Sequence, residues 1–522
     1  MPEAKGSSPA KTIRSNVAIN LIRTLTMTVL SFITFPFVTR ALGDQAFGLY
    51  TWANTFVYYF LILAKISIPN LAIRECSKVK DDKRKFSHLV QLFFLMQGIT
   101  TILSFAFMAV LAFTVPSLRE NNGLIFLLSI NFLAGAFSFE WVYIVLEKHF
   151  YITVRSITLI ALSALMTFLF IKAKSGYYDG DVYVNPALNE VHIYALITIS
   201  STVLTAVING IWLPKYVSWK KTEPYRLRPY FKPLFLLLLV SMALTLYNQT
   251  DEFILGYLDP TKAAVGAYSV GVKGVDIIIT LITSLYAVFM PRASYYYEMK
   301  DKRFFQNLVD YSLNITFFIA VPAIATMSTM ATQITALISG SDVSNQYQDG
   351  AAILAILSAM MLTYSIGDNI YTEILIPAKK EKHYLVSMAI GIALNIGLSF
   401  LLALTAFKDR PAVGVALATA IADVVLLIVL IVLSGPYARH AIFNRNILKI
   451  VLAGIVIGVA TAFLAPLLTS LLPFTGDDLW KSYLLTLIIM VLGDAIVYVG
   501  GLAIFKEKLV SSLFRRKENT HE

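Results

Sequence analysis

The sequence predicts an all-α polytopic membrane protein of about 14 transmembrane helices: two parallel six-helix bundles around a central cavity, plus two C-terminal helices. Three observations carry this expectation. Long apolar stretches recur along the whole chain, basic residues fall into every second gap between them, and a faint duplication recurs at a fixed offset. Of the 522 residues, 57% are hydrophobic and 14% charged, where soluble domains carry about 25% charged residues. About 20 apolar residues span a bilayer as a helix. By that measure spans lie near 15–39, 47–73, 87–115, 123–146, 150–171, 191–213, 233–258, 264–290, 306–331, 350–376, 384–406, 412–434, 447–468 and 481–505. The first fourteen residues are polar and basic. The apolar run after them is too long for a signal-peptide core and lacks a small-residue cleavage site, so the first span is expected to remain as a helix.

The charges fix orientation. Of 43 Lys and Arg residues, 31 fall at the N-terminus, in 74–85, at Lys148, and in 215–232, 292–303, 379–382, 439–449 and 506–517; eight fall in the opposite gaps and four within spans. That is the positive-inside pattern, with both termini cytoplasmic in a cell (plasma) membrane. The net charge of +11 then records topology and attraction to anionic lipid head groups, and no nucleic-acid partner is expected.

The duplication matches Gly48 and Tyr50 to Gly266 and Tyr268, Arg74 to Arg292, Lys85 to Arg303 and Phe86 to Phe304, all 218 residues apart. Six spans separate the copies, an even number, so both cross in the same direction and the repeat is parallel. The domains that follow are a cytoplasmic N-terminus (1–14), an N-terminal bundle (15–213), a cytoplasmic linker (214–232), a C-terminal bundle (233–434), two additional helices (447–505) and a cytoplasmic tail (506–522).

Charges inside spans are the candidate functional residues, because each costs about 2.5–3.5 kcal/mol on insertion scales unless paired or wetted. Arg23, Lys65 and Lys273 can line the cavity and hold an anionic head group. Snorkelling or interhelical pairing competes for Arg23 and Lys65, and an i, i+3 pair with Asp276 competes for Lys273. Arg155, one turn inside its span, is expected to snorkel. The acidic set is Glu140, Asp251, Glu252, Asp276, Asp368, Asp423 and Asp494. The polar run Asn248–Glu252 must face protein or water, and its acids, with Asp276, can bind a coupling cation. Asp423 and Asp494 sit on small-residue helices and read as packing contacts. Pro36 and Pro322 are candidate hinges. The single cysteine, Cys76, excludes an intramolecular disulfide and a Cys cluster. No metal spacing, phosphate-cradling glycine loop or nucleophile–base pair is present, so neither a cofactor nor an enzyme is expected.

Short stretches in order along nearly the whole chain resemble the polysaccharide flippases of the multidrug/oligosaccharidyl-lipid/polysaccharide exporter superfamily. They are Val38–Tyr50 (VTRALGDQAFGLY), Arg74–Lys83 (RECSKVKDDK), Asp251–Leu258 (DEFILGYL), Val265–Val270 (VGAYSV), Met290–Tyr297 (MPRASYYY), Ile376–Leu385 (IPAKKEKHYL) and Val413–Asp423 (VGVALATAIAD). The resemblance implies a flippase that moves a polyprenyl-diphosphate-linked saccharide for capsule, O-antigen or teichoic acid across the bacterial cytoplasmic membrane. It implies a downstream polymerase or ligase as partner, and cavity cations at Arg23, Lys65 and Lys273. In that scheme Asn248 and Gln249 bind the substrate and Asp251, Glu252 or Asp276 couples a cation. Two other classes compete. A drug/cation antiporter of the same superfamily wants an acidic cavity, against the basic set; a saccharide polymerase wants a large catalytic external loop, where the longest here has about eighteen residues.

Overall fold

Apolar runs longer than a bilayer crossing, separated by short polar gaps, fold here as long helices whose backbone groups bond within each span, as hydrocarbon requires. The computed structural model describes residues 9–171, 177–179, 182–184, 187–220, 224–340, 347, 349–474, 478–507 and 509–511. Much of the two terminal tails, 1–8 and 512–522, therefore lies outside the described residues.

The chain forms two compact units, Met1–Tyr257 and Leu258–Glu522. The first contains α1 (Pro9–Lys65), α2 (Ile68–Ser77), α3 (Lys83–Thr114), α4 (Pro116–Arg119), α5 (Asn122–Ala136), α6 (Glu140–Val145), α7 (His149–Phe170), α8 (Ala187–Trp212) and nearly all of α9 (Arg228–Leu258). A hairpin of β1 (Tyr177–Asp179) and β2 (Val182–Val184) pairs antiparallel between α7 and α8. The all-helical expectation did not include it; its aromatic and β-branched residues suit a strand pair. The second unit contains α10 (Ala263–Glu298), α11 (Lys302–Thr329), α12 (Ala331–Ser339), α13 (Gly350–Leu357), α14 (Met360–Asn369), α15 (Glu381–Leu404), α16 (Pro411–Ser434), α17 (Pro436–Ile442), α18 (Arg445–Leu471) and α19 (Leu479–Ile504). Between α14 and α15 the chain continues as a π-helix, Ile370–Leu375.

Thirteen helical segments among the described residues are long and apolar enough to cross a membrane. The first, Ile22–Ser77, has 56 residues, more than twice the roughly 20 that one crossing needs. It turns at Gly43, whose φ of 74° and ψ of 174° lie in a region open essentially only to glycine. The segment therefore holds the first two expected spans, and the count of about fourteen stands. Both α1 and α11 run through their prolines, Pro36 and Pro322, and the bend in α1 falls at Gly43 instead.

The repeat reappears as repeated contacts. Tyr50 donates to Thr198 Oγ1 at 3.2 Å in the first unit, and Tyr268 shares a 3.4 Å hydrogen bond with Thr419 Oγ1 in the second. Each joins the second span of its unit's copy to the sixth. Asp82 caps α3 by accepting from the Arg84 and Lys85 amides, and Asp301 caps α11 by accepting from that of Phe304. These caps correct the register by one residue. Phe86, four after its cap, is buried, and its counterpart is buried Phe305, while Phe304 is exposed. One residue is gained in the loop, which an ungapped offset cannot show.

By packing, α9 belongs with the first unit, whereas the division at the 214–232 linker follows the repeat. The Ser67 hydroxyl on the first unit's wall meets Leu237 O (3.2 Å) and Ser241 Oγ (2.6 Å) of α9. The linker itself is tied to α3. Gln91 Nε2 donates to Ser218 O at 2.5 Å, Tyr225 donates to Gln91 Oε1 at 2.7 Å, and Val217 packs in a core with Phe86, Phe93, Trp141 and Leu234. Two basic-side connections also meet, through Lys80 Nζ and Glu147 Oε1 at 2.6 Å; the Lys80 ammonium holds the Glu147 carboxyl below its ordinary range. In the second unit Asp494 of α19 accepts from Thr326 of α11 (3.1 Å) and Thr461 of α18 (2.8 Å). Asp494 is thus the packing contact expected, and it docks the two additional helices.

Candidate functional site

Two helix breaks inside spans build the site. Ile66 and Ser67 end α1 at φ of 42° and 54°, and Phe139 separates α5 from α6 at φ of 52°. Non-glycine residues rarely hold positive φ, and each break frees carbonyls that hydrocarbon cannot solvate. Neighbouring helices supply the donors. Ala64 O accepts from Gln97 Nε2 (2.8 Å) and Thr100 Oγ1 (2.5 Å), and Ser138 O accepts from Asn209 Nδ2 (2.6 Å). Lys65 ends one broken helix and Glu140 begins the other.

Glu140 is the centre of a charged cluster. Its Oε1 lies 3.3 Å from Arg23 Nη1 and its Oε2 lies 2.7 Å from Arg155 Nη2. Arg23 also donates to Asn20 Oδ1 at 2.8 Å. Arg155 Nη1 donates to Asn209 Oδ1 at 2.5 Å, and Tyr151 donates to the same oxygen at 2.9 Å. Tyr143 donates to Asn209 O at 2.5 Å. Fully buried Asn209 thus fastens the α5–α6 break and Arg155 together. One carboxylate thus pairs with two guanidiniums, leaving a local surplus of positive charge. Arg23, Glu140 and Arg155, with Thr24, Thr28 and Ser201, line a cavity of about 490 Å3. Arg155 Nε has no hydrogen-bond partner among the described residues. Guanidiniums offer planar, paired donors suited to carboxylate and phosphate oxygens.

The expectation that Arg155 snorkels is wrong. Its side chain is 4% exposed, and its terminal nitrogens bond Glu140 and Asn209, because an acid and an amide in the same unit hold it where it stands. Arg23 meets Glu140, while Lys65 closes α1 at the other break and is not among the residues lining the cavity. Gln249 and Glu252 are held elsewhere: the Thr55 hydroxyl lies 3.1 Å from Gln249 Oε1 and 2.6 Å from Glu252 Oε2. Ten residues of helix separate Thr55 from Lys65, about 15 Å at 1.5 Å per residue. Asn248 is exposed and Asp251 buried. Lys273 and Asp276 stand on α10 of the second unit, with Nζ and Oδ2 3.9 Å apart and both side chains at least half exposed, so the i, i+3 pair is loose. Asn209 and Arg155 are what sequence reasoning missed. The available signal was that Glu140, in a span, needs partners, and Arg23, Lys65 and Arg155 are the bases in that half's spans.

The description "Polysaccharide biosynthesis protein" belongs to the family that matches residues 13–296, more than half of the chain. No curated protein matches the chain by sequence. Among solved structures, the inward closed conformation of the lipid II flippase MurJ is 18% identical with a TM-score of 0.55, covering 96% of this chain and 99% of its own. An inward-facing multidrug resistance MATE family transporter of the MOP superfamily is 14% identical with a TM-score of 0.54, covering 85% and 98%. An outward-facing one is 15% identical with a TM-score of 0.55, covering 84% and 100%. At these identities the likeness shows a common fold, that of multi-pass membrane transporters.

Proposed function

Because the chain belongs to the polysaccharide biosynthesis protein family, we propose that it is a flippase for a polyprenyl-diphosphate-linked saccharide. The precursor is one for capsule, O-antigen or teichoic acid, carried from the inner to the outer leaflet of the cell membrane by alternating access, with both termini cytoplasmic. The supporting observation is the cationic cavity wall of Arg23 and Arg155 around Glu140. A diphosphate cannot enter hydrocarbon without replacements for its water, and these cations offset its charge. Lys273 is a further candidate contact for the diphosphate, and Asn248 and Gln249 are candidates to bond sugar hydroxyls. Without an ATP-binding motif, an ion gradient, the membrane potential or consumption of the product by a polymerase or ligase drives the cycle, and Asp251, Glu252 or Asp276 carries any coupled cation.

A drug/cation antiporter is the second reading, favoured by the fold shared with the MATE transporters and disfavoured by the positive surplus. Ligand-induced stabilisation separates the two. At about 100 times its Kd, a specific ligand raises stability by about 2.7 kcal/mol. A short-chain polyprenyl-diphosphate disaccharide is expected to raise the unfolding midpoint of the purified protein, and the matching polyprenyl alcohol is not. Stabilisation by an organic cation and none by the diphosphate lipid would reverse the assignment.

A further inference from the structure

Glu373 is an acid inside a span that the transport scheme leaves unused. It is fully buried on the π-helical turn, and single π-turns inside α-helices recur at functional sites. Its Oε1 accepts from Ser312 Oγ at 2.6 Å and from Asn369 Nδ2 at 3.1 Å. Its Oε2 has no hydrogen-bond partner among the described residues, and neither does Asn369 Oδ1 nor Ser365 Oγ. All three side chains are fully buried, and their spacing of four residues puts them along one helix face. Orphaned buried oxygens of this kind are rare and call for an explanation.

The repeat shows what is missing around Glu373. Lys148 and Lys380 begin the helices that follow the fourth and tenth spans. The residues before them, Glu147 and Lys379, share the same left-handed turn at φ of 55° and 56°. The closing bonds also match, Lys148 N to Tyr143 O and Lys380 N to Leu375 O, both 2.9 Å. At that offset of 232 residues Glu140 matches Thr372, one residue before Glu373, and Arg155 matches Ser387. The offset from Thr198 to Thr419 likewise puts Leu430 in the place of Asn209. The second unit thus carries a buried acid one residue from the place of partly exposed Glu140, with a serine and a leucine in the places of the arginine and amide that engage Glu140. No basic group is among the partners of Glu373. The charge that acts on it is another acid, Asp368. Tyr286 of α10 faces it across Thr316 and Ser365; titratable groups elsewhere on the helices packed around it include Lys273, Asp276 and Arg292 of α10, Asp310 of α11, Tyr364 of α14, Tyr371 of its own turn, Glu381, Lys382, His383 and Tyr384 of α15, Asp423 of α16 and Tyr437, Arg439 and His440 of α17.

We infer that Glu373, with Asn369 and Ser312, forms a binding site for one monovalent cation, a proton or an alkali-metal ion. A lone buried carboxylate is neutralised by taking up one positive charge. The ligands are all oxygens, which suits a proton or a hard cation and not a soft transition metal. Use of this cation in transport rests on the flippase reading. The site does not, because its test needs no substrate.

Purified protein in lipid nanodiscs is compared with Glu373→Gln by infrared difference spectroscopy and by equilibrium binding of 22Na+. A protonated carboxylic C=O band that disappears in the variant identifies the cation as a proton. About one bound Na+ per chain, weakened at least tenfold in Glu373→Gln and in Asn369→Ala, identifies an alkali ion. An ionised Glu373 carboxylate with Na+ binding equal in all three proteins would overturn the proposal, leaving the oxygens to bridging water. Asn369→Ala keeps the carboxyl group and serves alone if Glu373→Gln does not fold: a shifted C=O band or weakened Na+ binding supports the site, and no change in either overturns it.

Discussion

Replacing Glu140 with alanine is expected to destabilise the first unit by about 3–5 kcal/mol, the cost of stranding a buried charge without its partner. Arg155 is 4% exposed, and Asn209 alone offers it a neutral oxygen. Glu140→Gln preserves the shape and removes the charge, so it is expected to lose most of the same stability. Adding Arg155→Met to Glu140→Gln removes both charges and is expected to recover a large part, since a buried ion pair replaced by apolar groups is often neutral or better. The two residues touch, so their effects will not add. Denaturation midpoints in detergent measure all three. A loss under about 1 kcal/mol for Glu140→Ala, within the range of an exposed pair, would show that the cluster is solvated.

Arg23→Ala and Lys65→Ala are each expected to slow transport of a diphosphate-linked substrate by about 10- to 100-fold. Hydrogen bonds to charged groups are worth about 1.5–3 kcal/mol, and each 1.36 kcal/mol is a factor of ten. Lys65→Arg keeps the charge and is expected to retain most activity. Arg23 is the more demanding position, because it must serve Glu140 as well as the substrate. Lys80→Ala, which removes an exposed pair in a polar connection, is the control and is expected to transport normally. Initial rates in proteoliposomes at equal protein content give the comparison. Equal rates for Lys65→Ala and wild type would remove Lys65 from the site.

The spans were legible because hydrocarbon leaves so few solutions. Each run of about 20 apolar residues must be a helix. The repeat was legible where tyrosine and glycine are fixed by contacts, as at Tyr50 and Tyr268. It was misread by one residue at Phe304, where a loop gained a residue. The breaks at Ile66–Ser67 and Phe139 were not legible. No glycine stands at either, and both are sustained by donors distant in sequence, Gln97, Thr100 and Asn209. Arg155 was judged by its distance from a helix end, which says nothing of which neighbour its side chain meets. Asn209 was passed over as one polar residue in an apolar span, and in the tenth span Asp368 was singled out while Glu373, three residues from the span's end, was passed over.

The most direct measurement is translocation itself. Vesicles carry a fluorescent polyprenyl-diphosphate saccharide, an imposed ion gradient and the reconstituted protein, and a membrane-impermeant quencher reports the outer leaflet. Protein-dependent exchange between leaflets is predicted, abolished when Arg23 and Lys65 are both replaced with alanine and absent for a lipid without the diphosphate. Exchange equal to that of protein-free vesicles under every proton and sodium gradient, with the protein folded and oriented across the bilayer, would contradict it.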